Sequence, residues 1–483
     1  MFRNKNIINS FWNIADIFLY PVLFFASTSF FIKHLGQAQF GIWMLVNTII
    51  VSMQLFNLGI GSMVLKNIAL YTGKRDEEGK TGTMNNAISI TLALFAFCIL
   101  LSLAGSFLVS HYHLFEIAAS YRQLCAQSCG LAGCIVGIKF FEQIFTNYFK
   151  ALEQYKIAAL LGSGNRLIGL LLNALLLSLF PLNITQLLLV IIIVNGLFIP
   201  FAFMLMKRSL PGYSFKFNLK IPRHETSFAV LTWLQSLVII LTFQSDRYLI
   251  VNYFGLIVLS YYALIATMFN HLHMGFSAIL HWISPKFTKM HAQELDSASL
   301  FMAARNVVTS CAIIFLLVLY LIYPYIFKIV LGTDTANEVR EYTRYFISFE
   351  SFFALSIVPT YYFNAVGHER TYLYYVVFFC VLALTGMFTC VYVFRQPVAV
   401  LYGLIGACAV SMIVLETLLN KILTGSYQVL SGIVQILPSL FLSAFIFLSD
   451  PLLQCVSALL AILTLYLTHL RGNSHKILLL VKS

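Results

Sequence analysis

Residues 184–206 read ITQLLLVIIIVNGLFIPFAFMLM, and residues 207–227 continue KRSLPGYSFKFNLKIPRHETS. The first stretch carries no charge from end to end. At about 1.5 Å per residue it is long enough to cross a hydrocarbon layer of about 30 Å as a helix. The second holds Lys207, Arg208, Lys216, Lys220 and Arg223 among Pro211, Gly212 and Pro222, so it cannot continue that helix. A charge-free span ending in a basic, proline-interrupted loop is the unit from which helical membrane proteins are built. The same alternation extends in both directions. Before the loop, spans are expected near 11–32, 41–71, 84–110, 118–147, 156–180 and 184–206. After it they are expected near 228–253, 258–283, 301–331, 341–366, 370–394, 399–424, 431–449 and 451–470. The expected fold is an all-α integral membrane protein of about fourteen helices. The apolar segments are too long for the ~10-residue alternating strands of a barrel.

Composition agrees. Of 483 residues, 60% are apolar or aromatic and 10% are charged, against about 25% charged in a soluble domain. No soluble core buries so much apolar sequence. The nine cysteines all fall in apolar stretches with no CxxC pair, which reads as small buried hydrophobes rather than a metal site or disulfides. The net charge of +12 does not point to nucleic acid, because the basic residues lie between spans. Nineteen Lys and Arg residues fall on one side of the alternating loops, five on the other and six within or at the ends of spans. That bias places both termini in the cytoplasm. The first span is too long for a signal-peptide core and reads as retained.

The chain also echoes itself. His34-Leu35-Gly36 leading into Phe40-Gly41 is matched by Tyr253-Phe254-Gly255 leading into Leu259-Ser260. Tyr148-Phe149-Lys150-Ala151-Leu152 is matched by Tyr362-Phe363-Asn364-Ala365-Val366. The expected domains are a six-helix lobe over 1–208, a linker loop at 209–227, a parallel second lobe over 228–425, and two further helices with a tail at 426–483.

An ionisable residue at bilayer depth costs roughly 2.5–3.5 kcal/mol on the insertion scale. Asp16, Lys66, Lys139, Glu142, Arg166, Asp246, Arg247, Glu350 and Glu416 are nevertheless placed there. Lys139 and Glu142 are three apart and share a helix face. Asp246 and Arg247 point about 100° apart and need different partners. Pairing across helices explains Lys66 and Glu416, near span ends. A water-filled pathway better explains Asp16, Arg166, Asp246 and Arg247. His271 and His273 are two apart and do not make a metal pair. His281 reads as interfacial packing. No P-loop, nucleophile elbow or HExxH motif occurs, and no loop reaches domain size, so no enzyme is expected. Asn183-Ile184-Thr185 matches a glycosylation sequon by accident of composition.

Four motifs carry a resemblance. Asn9-Ser10-Phe11-Trp12 is followed by His34-Leu35-Gly36-x-x-x-Phe40-Gly41-Ile42-Trp43 and then Asn57-Leu58-Gly59-Ile60-Gly61-Ser62. In the second half, Asp246-Arg247-Tyr248-x(6)-Gly255-x(5)-Tyr261-Tyr262-Ala263 stands at the corresponding place. Together these resemble the Wzx-type O-antigen and polysaccharide flippases of the multidrug/oligosaccharidyl-lipid/polysaccharide (MOP) superfamily. Asn57 departs from relatives that carry an acid there. The resemblance implies two six-helix lobes in a V around a cavity, with two helices beside them. It implies a protein of the inner (cytoplasmic) membrane that flips undecaprenyl-pyrophosphate-linked oligosaccharide units by alternating access. Membrane lipids and a polysaccharide polymerase with its chain-length machinery would be its partners. On that reading Arg166, Arg247, Lys139 and Lys66 bind the pyrophosphate. Asp16, Glu142, Asp246 and Glu350 balance those cations or take up H⁺ or Na⁺, and no cofactor is needed. The competing reading is a multidrug or cation antiporter of the same superfamily, which favours an acid-lined cavity without cations.

Overall fold

In the computed structural model the chain is built from helices, with no strand among the described residues. These are residues 2–57, 59–112, 115–218, 226–278, 287, 290 and 296–470, the side chains of 2–18, 62, 226–232, 278 and 469–470 standing outside the description. The helices before the linker are α1 (Phe2–Leu35), α2 (Gln37–Met53), α3 (Ile60–Lys74), α4 (Glu77–His111), α5 (Ala119–Ala151), α6 (Tyr155–Ala159), α7 (Asn165–Leu179) and α8 (Ile184–Ser209). After it come α9 (Thr226–Ala278), α10 (Ser297–Leu331), α11 (Thr333–Phe353), α12 (Ile357–Ala365), α13 (Glu369–Phe394), α14 (Ala399–Thr424), α15 (Val429–Phe447) and α16 (Pro451–Leu465). The chain divides into two compact units, Met1–Leu264 and Ile265–Ser483.

Among the described residues, twelve stretches are long and apolar enough to cross a membrane. One of them, Trp233–Ser277, runs for 45 residues. At 1.5 Å per residue that is about 68 Å, enough for two crossings. It turns at Gly255 (φ 81°, ψ −176°), where the backbone leaves helical geometry. A shorter apolar helical stretch of α1, Leu19–Leu35, stands where the first span is expected. All fourteen expected spans therefore have helix in the expected order.

Three spans are interrupted in ways that apolar length does not reveal. The span expected at 41–71 is two helices: α2 ends at Met53, a 3₁₀ turn covers Gln54–Asn57, and α3 starts after Gly59 in the left-handed region (φ 73°). The span near 156–180 holds a π-helical turn at Leu160–Gly164 between α6 and α7. The span near 341–366 passes from α11 through a 3₁₀ turn at Ala354–Ser356 into α12. There Pro359 has no N–H to give the helical ladder.

The internal echoes coincide with matching backbone turns. Gly36 (φ 76°, ψ 160°) joins α1 to α2 with nearly the same dihedrals as Gly255. A side chain at such a φ is strained, so both halves use glycine to reverse the chain in one residue. The second echo ends a helix in the same motif twice. Gln154 N–H donates to Phe149 O at 2.9 Å, as His368 N–H does to Phe363 O at 2.9 Å. The left-handed residue between is Glu153 (φ 58°) in one case and Gly367 (φ 79°) in the other. This is the Schellman termination, which favours glycine at that position. Glu153→Gly should therefore raise stability by about 0.5–1 kcal/mol, and Gly367→Ala should lower it by about 1 kcal/mol. Thermal unfolding of the detergent-solubilised protein checks this; an unchanged midpoint in Gly367→Ala would show that the turn tolerates side chains freely.

The described part of the linker is a strap packed on the first unit. Asn85 Nδ2 donates to Ser214 O at 3.2 Å, and Asn218 N–H donates to Ser89 Oγ at 2.9 Å. Tyr213 is buried against a core that includes Phe203 (ring centroids 5.9 Å apart), Phe145 and Tyr148. Its hydroxyl has no hydrogen-bond partner, and burial pushes that hydroxyl up to about 12. A buried donor without a partner costs about 1–3 kcal/mol. Tyr213→Phe should therefore be neutral to stabilising by about 1 kcal/mol. Because the folded state holds the neutral phenol, its contribution is fully present below pH 10, the ordinary value, and fades as pH rises through about 12. Thermal unfolding of wild type and variant at pH 8 and pH 11 measures both effects.

In the second unit, α15 is held to α11 by serines. Ser348 Oγ and Ser443 Oγ lie 2.7 Å apart, and Ser439 Oγ donates to Ser351 O at 2.7 Å. Small hydroxylated residues let helices approach closely where lipid provides no hydrophobic drive. The apparent sequon at Asn183 is a capping box: Asn183 Oδ1 accepts from Gln186 N–H at 3.0 Å and Gln186 Oε1 accepts from Asn183 N–H at 2.9 Å.

Candidate functional site

The first unit is organised around α5, which packs against α2, α3, α4 and α8. Its apolar face buries Phe140, Phe141, Ile144, Phe145, Tyr148 and Phe149. Lys139, Gln143, Asn147 and Lys150 recur at helical spacing on another face, where each is half-buried or exposed. Polar groups open to their surroundings at bilayer depth cannot face acyl chains without losing hydrogen bonds. A stripe of this kind suits water or a polar ligand rather than acyl chains.

Glu142 borders the stripe. Its Oε1 accepts from Arg166 Nη2 at 3.0 Å and Nε at 3.2 Å, while Oε2 is buried with no hydrogen-bond partner. The pair is lopsided: the Arg166 side chain is 40% exposed and Glu142 10%. Arg166 is the second residue of α7, just after the π turn, whose extra residue rotates the rest of the helix by about 100°. The Leu-Leu-Gly-Ser-Gly sequence of that turn thus aims Arg166 at α5. Lys139 shares a face with Glu142 as expected, yet the carboxylate is taken by Arg166 from another helix; Lys139 stays within electrostatic reach of both. Asn57, in the 3₁₀ break of the second span, donates its amide to Gln143 Oε1. A Cβ on Gly61 would sit 2.5 Å from Asn147 Nδ2, so glycine lets α3 approach the stripe without displacing that amide. Lys66 is exposed on α3 and takes no part in the Glu142–Arg166 pair.

Asp246, Arg247 and Tyr248 sit on the first arm of α9, and Asp246 and Arg247 are both buried. Asp246 Oδ2 accepts from Tyr262 O–H at 2.7 Å, and Oδ1 accepts from Arg247 N–H at 2.6 Å. Tyr248 O–H meets Ser52 Oγ of α2 at 3.1 Å. The motif from Asp246 to Tyr262 is thus a stitch across the Gly255 turn that ties the two arms of α9. In the second unit, His273 Nδ1 is hydrogen-bonded with Glu350 Oε1 at 2.8 Å, and Arg305 Nη1 donates to Glu416 Oε2 at 2.8 Å. The side chains of Asp16 and His281 lie outside the described residues. Of the expected site residues, then, the fold brings together Lys139, Glu142 and Arg166. It adds Asn57, Gln143 and Asn147, and gives Glu350 the partner His273. The four-residue recurrence along 139–150 was the signal for the stripe; Asn57 has no signal in the sequence beyond standing at a glycine turn.

The cysteines form no disulfide. Cys98, Cys125, Cys129, Cys380 and Cys408 are buried as expected of small hydrophobes, whereas Cys311 and Cys455 are exposed on apolar helices. No group of three or more metal-ligating side chains occurs among the described residues.

No family model and no curated protein matches the sequence. Solved structures do match. The lipid II flippase MurJ in an inward closed conformation aligns with a TM-score of 0.66 over 95% of this chain and 97% of MurJ, at 12% identity. An inward-facing multidrug resistance MATE family transporter of the MOP superfamily aligns at 0.62 over 87% and 100%, at 13% identity. The MATE multidrug transporter DinF-BH aligns at 0.61 over 86% and 94%, at 14% identity. At such identities the likeness establishes the fold. The chain is a multi-pass helical membrane protein with the fold of MOP superfamily transporters.

Proposed function

We propose that the protein is a flippase that carries undecaprenyl-pyrophosphate-linked oligosaccharide units, of O-antigen or another surface polysaccharide, across the cytoplasmic membrane by alternating access. Its lobes on this reading are 1–208 and 228–425, joined by the 209–227 segment, with both termini in the cytoplasm. The matched turns at Gly36 and Gly255, and at Glu153 and Gly367, support the two-lobe repeat. The observation that carries the function is the polar stripe of α5 with Arg166 half open beside it. A guanidinium fork of this kind suits a phosphate oxygen, and the amides of Asn57, Gln143 and Asn147 suit sugar hydroxyls. The head group cannot cross hydrocarbon unaccompanied, while its polyprenyl tail can stay in lipid. The antiporter alternative draws on the MATE likeness and on Glu142, but the cations Arg166 and Lys139 beside that acid make the surface a poor host for a cationic drug.

Deletion of the gene tests the reading. The expected result is loss of one surface glycan, with its lipid-linked unit accumulating on the cytoplasmic leaflet. Normal glycan together with altered sensitivity to cationic drugs would replace the flippase with the antiporter.

A further inference from the structure

The end of the first unit farthest from the linker strap holds a cavity of about 460 Å³, lined by Phe115, Glu116, Ile117, Ala118 and Asn252. The first four belong to the loop between α4 and α5, and Asn252 lies on the first arm of α9 just before Gly255. Gly255 lets the two segments meet, because a Cβ there would sit 3.1 Å from Glu116 O. Within the loop, Ile117 N–H donates to Phe115 O at 2.8 Å and the Ile117 side chain is buried. Phe115 is half-buried, while Glu116, Ala118 and Asn252 are exposed. Among the described residues, neither the Glu116 carboxylate nor the Asn252 amide is hydrogen-bonded. No side chain caps the start of α5, so its first amides are open at the same place. Glu142 follows Ala119 by twenty-three residues along α5. That is about 35 Å, so the cavity and the Glu142–Arg166 pair are separated by about the thickness of a bilayer core.

The groups at the cavity decide what it can hold. Glu116 offers acceptors only, the α5 amides offer donors only, and the Asn252 amide offers both. A phosphate would meet the Glu116 carboxylate and be repelled. A hard metal cation needs several oxygen ligands, and it would face the positive end of the α5 dipole. A neutral, hydroxylated ring satisfies every group, since each hydroxyl both donates and accepts, and the half-buried Phe115 suits its apolar face. The volume lies within the range of small-ligand pockets. We infer that this cavity is a sugar-binding site, built from the α4–α5 loop and Asn252 and distinct from the polar stripe of α5. That the sugar belongs to a transported unit, held at the far mouth after its pyrophosphate has left Arg166, rests on the flippase reading. The cavity's chemistry does not.

Saturation-transfer NMR on the purified full-length protein in lipid nanodiscs, with empty nanodiscs as the reference, reads the site directly. The probes are free galactose, mannose, rhamnose and N-acetylglucosamine. At least one should receive saturation from the wild type. Ala118→Trp fills the cavity from an exposed loop position, and Glu116→Gln combined with Asn252→Ala removes the charge and the amide. Each variant should weaken sugar binding by about tenfold with an unchanged unfolding midpoint, and either serves alone if the other fails to fold. Transfer to none of the four sugars, or transfer undiminished in a folded variant, would overturn the site. Flipping of a lipid-linked oligosaccharide in vesicles is measured on the same preparations. Sugar binding without flipping would keep the site and remove the flippase reading, whereas flipping without sugar binding would remove the site alone.

Discussion

Arg166→Gln should abolish export of the surface glycan and also weaken the fold, and the two effects can be separated. The Glu142 carboxylate is 10% exposed and takes both its hydrogen bonds from Arg166. Removing one partner of a buried pair costs about 3–5 kcal/mol because the other charge is stranded. Here the arginine is 40% exposed, so solvent screens the pair and about 2–3 kcal/mol is expected. Neutralising both residues, as Arg166→Gln with Glu142→Gln, removes the stranded charge and should bring stability back to within about 1 kcal/mol of the wild type. Export should stay lost, since the amide cannot supply a charged fork to phosphate. Thermal unfolding of the purified variants and glycan staining of complemented cells give the two readouts. Export restored in the stable double variant would mean that the pair only holds α5 to α7.

The contrast between legible and illegible features follows from how each is encoded. Spans such as 184–206 and 370–394 declare themselves because lipid demands continuous apolar length. The turns at Gly36 and Gly255 were visible as an echo because a backbone with φ near +80° selects glycine directly. The break at Gln54–Gly59 and the π turn at Leu160–Gly164 were not visible, because both leave the run of apolar residues intact and alter only its register. Partner choice was the least legible feature. Lys139 stands three residues from Glu142 in sequence, yet the carboxylate is bonded by Arg166, twenty-four residues on. Asp246 is bonded by Tyr262 because a single glycine folds α9 back upon itself. Spacing along one helix shows which residues share a face, and only the packing of neighbouring helices decides which partner arrives there.

The pair Arg305–Glu416 should behave in the opposite way to Arg166–Glu142. Its side chains are 12% and 2% exposed, and Nη1 meets Oε2 at 2.8 Å. The guanidinium lies over the Phe301 ring at 5.4 Å, and its Nε is buried without a hydrogen-bond partner. Phe301 in turn packs on Tyr362, whose hydroxyl meets Ser297 Oγ at 3.1 Å. This arrangement ties α10 to α14 in a dry seam, the packing role expected of Glu416 from the sequence. Glu416→Ala alone should cost about 3–5 kcal/mol, the largest loss of stability expected for any single ionisable residue in the second unit. Export should fall with the amount of folded protein and no further. Replacing both residues with apolar ones of similar volume, Arg305→Met with Glu416→Leu, should be neutral or stabilising by about 1–4 kcal/mol, because neither charge then has to be desolvated. Export per folded molecule should match the wild type. Unfolding midpoints, membrane abundance and glycan level measured on the same strains decide the matter. A stable double variant without export would assign this pair a part in transport, and burial would then no longer separate the ion pairs that bind substrate from those that hold helices together.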